Sequence, residues 1–292
     1  MFCPSPKGMV LTAIIKTSVT DWPGGLTEEA VGQMCSLIQH VRLRSGLVWR
    51  GIAWAAVTSL LLTVAACGVQ ADTKGAEPRK EEVYNRARQK MVDFQIAARG
   101  IKDPAVLEAM RSVPRHLFIP EQFRFEAYND HPVPIGWGQT ISQPYVVGFM
   151  TEALKLRPGD RVLEVGTGHG YQAAVLSKLA KEVYTIEIVP ALGNEAKQIL
   201  VSLGLNNVTV RIGDGYSGWP EKAPFNAIII TAACDHVPKP LIDQLAPEGR
   251  LVAPVGEMWQ DLVRITKTDK GLDQEYLLPV AFVPMTGEVQ RH

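Results

Sequence analysis

Cysteine, net charge and long apolar runs are all scarce in this chain of 292 residues. The four cysteines, Cys3, Cys35, Cys67 and Cys234, fit no zinc-ligand spacing and outline no disulfide framework. Lysine plus arginine and aspartate plus glutamate each number 30, so the formal net charge is zero. That balance argues against an electrostatic grip on nucleic acid. The apolar stretch Gly51 to Ala66 is short for a membrane span. No internal repeat is present. What the chain does have is a 46% hydrophobic composition, enough to bury one large core or two small ones.

The first 80 or so residues differ from the rest. Gly51 to Ala66 carries no charge and follows Arg42, Arg44 and Arg50, the order of a signal-peptide h-region behind a basic n-region. It ends Val64-Ala65-Ala66-Cys67-Gly68, which resembles a bacterial lipobox with Cys67 as the lipidated residue. Gln70 to Glu82 is polar and charged and reads as a tether. Met34 gives a leader of ordinary length, so translation starting there is one expectation. A buried helix is the alternative for the apolar stretch. The expected organisation is an extension over residues 1–66, a polar linker over 67–82 and a folded domain over 83–292.

Within that domain a helix is expected from Val83 to Arg99, stopped by Gly100. A second runs from Asp103 to Val113, with Asp103 as cap and Pro104 in the first turn. Phe118 to Gln143 is dense in proline, glycine and aromatics and reads as a loop. A third helix covers Tyr145 to Leu156, with Val146, Phe149, Met150 and Leu154 at core spacing. Strands and helices then alternate: strands at 161–166, 182–188 and 207–213, with helices at 171–180 and 191–203 between them. A strand at Phe225 to Thr231, a helix near Pro240 to Leu245 and a strand at Arg250 to Val255 continue the rhythm. The expected fold class is α/β, with a doubly wound, mostly parallel sheet. Asp261 to Thr268 and Tyr276 to Val283 are expected as antiparallel strands at its edge.

Chemistry concentrates in Arg161-Val-Leu-Glu-Val-Gly-Thr-Gly-His-Gly-Tyr171. A short apolar strand runs into a glycine turn that lets the backbone approach a ligand. A dinucleotide site needs G-x-G-x-x-G, but Tyr171 stands where the third of those glycines belongs. Glu187 ends the next strand, about 20 residues on, where a carboxylate can hold a ribose diol. Asp214, in Gly213-Asp-Gly215, ends the third strand. Ligands in such sheets bind at the carboxyl ends of the strands, where Glu164, Glu187, Asp214 and Thr231 all fall. The order E-x-G-x-G-x-G, acid, acid resembles S-adenosylmethionine-dependent methyltransferases, which implies a Rossmann-like fold and S-adenosyl-L-methionine as cofactor.

A narrower resemblance comes from Pro134-Ile-Gly-Trp-Gly-Gln-Thr-Ile-Ser-Gln-Pro144. It is similar to the substrate loop of protein-L-isoaspartate O-methyltransferases. Further matches follow in order: Val113-Pro-Arg-His-Leu-Phe118, Leu163 to Gln172, Gly213-Asp-Gly215, Ala223-Pro-Phe225, Thr231-Ala-Ala233, Val252-Ala-Pro-Val-Gly256 and Phe282-Val-Pro284. The resemblance covers nearly all of residues 84 to 292. It implies methyl esterification of the free carboxylate of isoaspartyl residues in damaged proteins and peptides, then closure to a succinimide. It also implies a monomer in the cytoplasm, in conflict with the exported, Cys67-anchored state that the leader implies.

By the same resemblance Ser142 is the active-site serine, expected to hydrogen-bond the isoaspartyl carboxylate. Thr140, Ile141 and Gln143 are expected to assist in substrate binding. Glu187 is expected on the ribose hydroxyls, Asp214 on the adenine amino group with Gly215 beside it, and Gly166, Thr167 and Gly168 along the methionine end. Glu164 is expected to orient the loop backbone and to face the methionine ammonium. His169 is expected to point away from the cofactor in a structural role. No metal is called for. Two other readings stay open: a methyltransferase acting on RNA, a small molecule or a side-chain nitrogen, and a surface-anchored binding protein that kept the fold without the chemistry. Against the first, Thr231-Ala-Ala-Cys234 stands where amino-group methyltransferases commonly carry [D/N]-P-P-[F/Y].

Overall fold

A seven-stranded sheet, mixed in direction, organises the chain in a computed structural model that describes residues 76–291. Residues Arg79 to His292 form one compact unit. The extension, the lipobox-like segment and most of the expected linker lie outside the described residues. The first described helix, α1 (Ala76–Lys90), begins inside that linker. Glu77, Arg79, Lys80, Glu81 and Glu82 are good helix formers, and a proline such as Pro78 is tolerated in a first turn.

The helix expected up to Arg99 changes character after Lys90. Met91–Ile96 is a π turn and Ala97–Arg99 a 3₁₀ turn, closed by Gly100 at φ 103°. Widening to i→i+5 bonding puts Met91 and Ile96, both fully buried, on one face. Helix α2 (Pro104–Ser112) starts as its sequence requires. Asp103 Oδ1 accepts from Ala105 N at 2.8 Å and Val106 N at 3.4 Å, with proline at the first position.

The stretch read as a loop contains a hairpin instead. Strands β1 (Val133–Gly136) and β2 (Gln139–Ile141) pair antiparallel, Val133 opposite Ile141 and Pro134 opposite Thr140. Gly136, Trp137 and Gly138 have φ of 93°, 57° and 72°, and this left-handed run turns the chain. Val133 and Ile135 are buried and their neighbours exposed, the period of a half-buried strand. Helix α3 (Pro144–Ala153) follows directly.

The alternating half is β3 (Arg161–Val165), α4 (Tyr171–Ser177), β4 (Glu182–Glu187), α5 (Pro190–Ser202), β5 (Val208–Ile212), β6 (Phe225–Ile230), α6 (Lys239–Asp243) and β7 (Leu245–Val255). Strands β8 (Gln260–Thr268) and β9 (Gly271–Val280) end the sheet, whose order is β5-β4-β3-β6-β7-β8-β9. Pairings from β5 to β7 are parallel, and β7–β8 and β8–β9 antiparallel. In β6, Ala227 and Ile229 pack into one core layer and Ile228 and Ile230 into another, so the central strand is buried on both faces. The chain winds from β3 outward to β5, then returns to lay β6 on the other side of β3. That reversal opens a crevice beyond the carboxyl ends of β3 and β6.

Candidate active site

The crevice holds a cleft lined by the turn after β3, the ends of β4 and β6, the β1–β2 hairpin and the C-terminal segment. Gly166, Thr167, Gly168 and His169 form its floor. Glu187, Ile188, Gly215 and Thr231 flank that floor, and Thr140, Ile141 and Ser142 face it from the hairpin. Val283, Pro284, Met285 and Thr286 close another side; Phe282-Val-Pro284 was matched in the sequence, but its place in the site was not expected.

Gly166 cannot carry a side chain. Its φ is 99°, and an added Cβ would lie 2.3 Å from Thr231 Oγ1. Thr231 Oγ1 instead donates to the Gly166 carbonyl at 2.6 Å, tying the turn to the end of β6. Glu187 holds the turn from the other side. Its Oε2 accepts from Gly168 N at 2.8 Å and its Oε1 from Val189 N at 2.9 Å. Burial raises the Glu187 pKa, and these backbone amides oppose the rise. Glu187 also lines the cleft, where its carboxylate can accept from a hydroxyl.

Three expected residues stand away from the cleft surface. Glu164 does not touch the loop backbone; it lies fully buried beneath it. Thr185 Oγ1 donates to Glu164 Oε2 at 2.6 Å, which leaves Thr167 Oγ1 to donate to Thr185 at 2.6 Å. Glu164 thus supports the Thr167 side chain through a hydroxyl relay. Its Oε1 has no partner, and burial pushes its pKa up to about 8, with Glu187 adding to the rise. The backbone-orienting role falls to Glu187 because Glu187 ends its strand level with the turn.

Asp214 sits beneath the C-terminal turn. Its Oδ1 accepts from Tyr216 N at 2.9 Å and its Oδ2 from Glu288 N at 2.7 Å, while Gly215 beside it reaches the cleft. Gln143 also turns away: its Nε2 donates to the Asp130 carbonyl at 3.1 Å. It is the cap residue of α3, and its side chain caps no helix amide. Thr140, Ile141 and Ser142 stay together on the cleft. No described residue hydrogen-bonds the Ser142 hydroxyl, and its carbonyl accepts from Arg115 Nη2 at 2.7 Å. His169 is buried, with Nδ1 3.0 Å from the Phe118 carbonyl and Nε2 3.0 Å from Glu195 Oε2. Among the described residues, no helix is long and apolar enough to cross a membrane.

The donor set suits an adenosyl amino acid. A buried carboxylate at the edge of the cleft matches a ribose diol. Val165, Ile188 and Met285 offer apolar walls for an aromatic base. Side-chain-free glycines leave room along the floor for the amino-acid end.

The family model described as protein-L-isoaspartate(D-aspartate) O-methyltransferase matches residues 85–290. Protein-L-isoaspartate O-methyltransferase 2 of Shewanella sediminis is 56% identical over 208 residues, spanning 70% of this chain and 85% of that protein. The protein-L-isoaspartate O-methyltransferase of Gloeobacter violaceus is 52% identical over 200 residues, 68% of this chain and 98% of its own length. A beta-aspartate methyltransferase from Plasmodium falciparum, solved in complex with S-adenosyl-L-homocysteine, superposes with a TM-score of 0.61 at 28% identity, over 68% of this chain and 98% of that one. Sheet order, glycine turn, substrate hairpin and these likenesses agree, and the chain belongs to the protein-L-isoaspartate(D-aspartate) O-methyltransferase family.

Proposed function

We propose that this protein methylates the free carboxylate of L-isoaspartyl residues in damaged proteins and peptides, using S-adenosyl-L-methionine. The observation that carries the reading is Ser142, whose hydroxyl has no hydrogen-bond partner among the described residues, lining the same cleft as the glycine turn. When bound, S-adenosyl-L-methionine supplies a methyl group activated by its sulfonium. A carboxylate, with a pKa of about 4, is already ionised at neutral pH, so no general base is required. Ser142 donates to one isoaspartyl carboxylate oxygen and fixes the other for in-line attack, with Thr140 and the backbone at Ile141 lining the approach. The bound cofactor would supply its methyl to that oxygen and leave as a neutral thioether, keeping the electron pair of the C–S bond. A neutral methyl ester and a thioether result; the ester then closes to a succinimide as the neighbouring amide displaces methanol.

Glu187 is assigned to the ribose hydroxyls, and Gly166, Thr167 and Gly168 to the methionine end. Gly215, with Asp214 behind it, is assigned to the adenine side. Glu164 is assigned to holding Thr167 through Thr185. We propose a monomer without nucleic-acid partners. The proposed location is the cytoplasm, where the cofactor is made. Val64-Ala-Ala-Cys67 favours the alternative of an envelope lipoprotein. Labelling by a fatty-acid probe that is lost in Cys67→Ser would establish the lipoprotein, and an unlabelled native chain would remove it. Transfer of labelled methyl to an isoaspartyl peptide, and not to its aspartyl counterpart, tests the activity itself.

A further inference from the structure

Arg115 lies in the short 3₁₀ turn Arg115–Phe118 that follows α2, and it is fully buried. Nε donates to the Ala127 carbonyl at 2.8 Å, and Nη2 to the Ser142 carbonyl at 2.7 Å. Nη1 has no hydrogen-bond partner. The guanidinium carbon sits 4.9 Å from the centroid of the Tyr171 ring. Among the described residues no carboxylate pairs with Arg115. Its pKa is lowered to about 10 by burial, against opposing effects of Tyr171 and Tyr128, so it remains a cation at neutral pH.

A buried charge without a counterion is costly, and buried charges are ordinarily paired. Two carbonyls could be tied together by neutral donors at lower cost. Here the unneutralised cation is hydrogen-bonded to the carbonyl of Ser142, a residue that lines the cleft. A positive charge there, screened by little water, acts on whatever the Ser142 hydroxyl holds. An anion is favoured and a neutral group is not.

We infer that Arg115 is the positioning residue of the substrate loop, fixing Ser142 through its carbonyl and making that loop prefer an anionic isoaspartyl acceptor over a neutral one. The inference rests on the isoaspartyl reading above. It also accounts for release: methylation neutralises the carboxylate, so the ester product loses the attraction that held the substrate.

The test compares binding of two peptides, isoaspartyl and isoasparaginyl, that differ only in a carboxylate or an amide at one side chain. Binding to the full chain is measured with S-adenosyl-L-homocysteine present, in the native protein, Arg115→Met and Arg115→Lys. Affinity for S-adenosyl-L-homocysteine reports folding. The native protein should prefer the isoaspartyl peptide. Arg115→Met should reduce that preference at least about tenfold, chiefly through weaker isoaspartyl binding. Arg115→Lys should keep the preference while binding the isoaspartyl peptide more weakly, since it retains charge and loses the fork. Equal weakening of both peptides in Arg115→Met would reduce Arg115 to a structural staple and overturn the inference. Should Arg115→Met fail to bind S-adenosyl-L-homocysteine, Arg115→Lys decides alone: a lost preference there overturns it. No preference in the native protein would instead sink the isoaspartyl reading, and this inference with it.

Discussion

The two walls of the cleft use their polar atoms in opposite ways. At the strand ends the acids are largely engaged: Glu187, on the cleft, accepts from the Gly168 and Val189 amides, and behind it Asp214 accepts from two more while Glu164 accepts from Thr185 through one of its two oxygens. On the hairpin wall, among the described residues, the Ser142 hydroxyl has no hydrogen-bond partner and the Arg115 charge bonded to its carbonyl has no paired carboxylate. The strand-end wall is a rigid mould, stiffened by the interactions that shape it for one invariant ligand. The hairpin wall keeps its hydrogen-bonding capacity for a ligand that arrives on many different proteins. Fixed geometry therefore serves the cofactor, and unspent polarity serves the substrate.

Damage to the mould should have the largest effect. Gly166→Ala places a Cβ 2.3 Å from Thr231 Oγ1 at a backbone φ of 99°. Strain on the order of 1–3 kcal/mol, added to the clash, should abolish measurable S-adenosyl-L-homocysteine binding by calorimetry. Native affinity in that variant would show that the turn is not a mould. On the other wall, Ser142→Ala removes one donor to a charged acceptor. Turnover should fall more than about tenfold while S-adenosyl-L-homocysteine affinity stays unchanged. A fall in both would erase the division between the walls.

A pH measurement sharpens the account of the mould from beneath. Glu164 has its pKa raised from 4.5 to about 8, so the folded chain favours its neutral form. Its contribution to stability is full below about pH 4.5 and is lost as pH rises towards about 8. Glu164→Gln keeps a neutral group there and should flatten that slope in urea unfolding across the same window. An unchanged slope would show that Glu164 is ionised in its pocket. The smallest effect belongs to Gln143→Ala, since its side chain faces the Asp130 carbonyl outside the cleft. Turnover within about twofold of native is expected, and a loss comparable to Ser142→Ala would return Gln143 to the substrate site.

Legibility in the sequence follows the same division. The turn from Val165 to Gly170 and the acid at Glu187 could be read because strand, glycines and acid recur at fixed spacing along a local stretch. The hairpin was hidden: Pro134, Gly136 and Gly138 mask the alternation of Val133 with Ile135, and glycine-rich turns read as loop. The π turn at Met91–Ile96 has no sequence signature, since it arises when tertiary packing asks residues five apart to share a face. Wall residues Val283 to Thr286 carry no polar motif, and only the fold brings them beside Ala233, through Ala233 N to the Val283 carbonyl at 2.8 Å. Arg115 was likewise unreadable, because one arginine in Pro-Arg-His-Leu-Phe looks like a solvated side chain until its burial is seen.

The most direct test gives the purified protein labelled S-adenosyl-L-methionine and two peptides, identical except for isoaspartate or aspartate at one position. Base-labile label on the isoaspartyl peptide alone is the predicted result. Label on neither peptide, with S-adenosyl-L-homocysteine still bound, would contradict the assignment of the hairpin wall and leave only the mould standing.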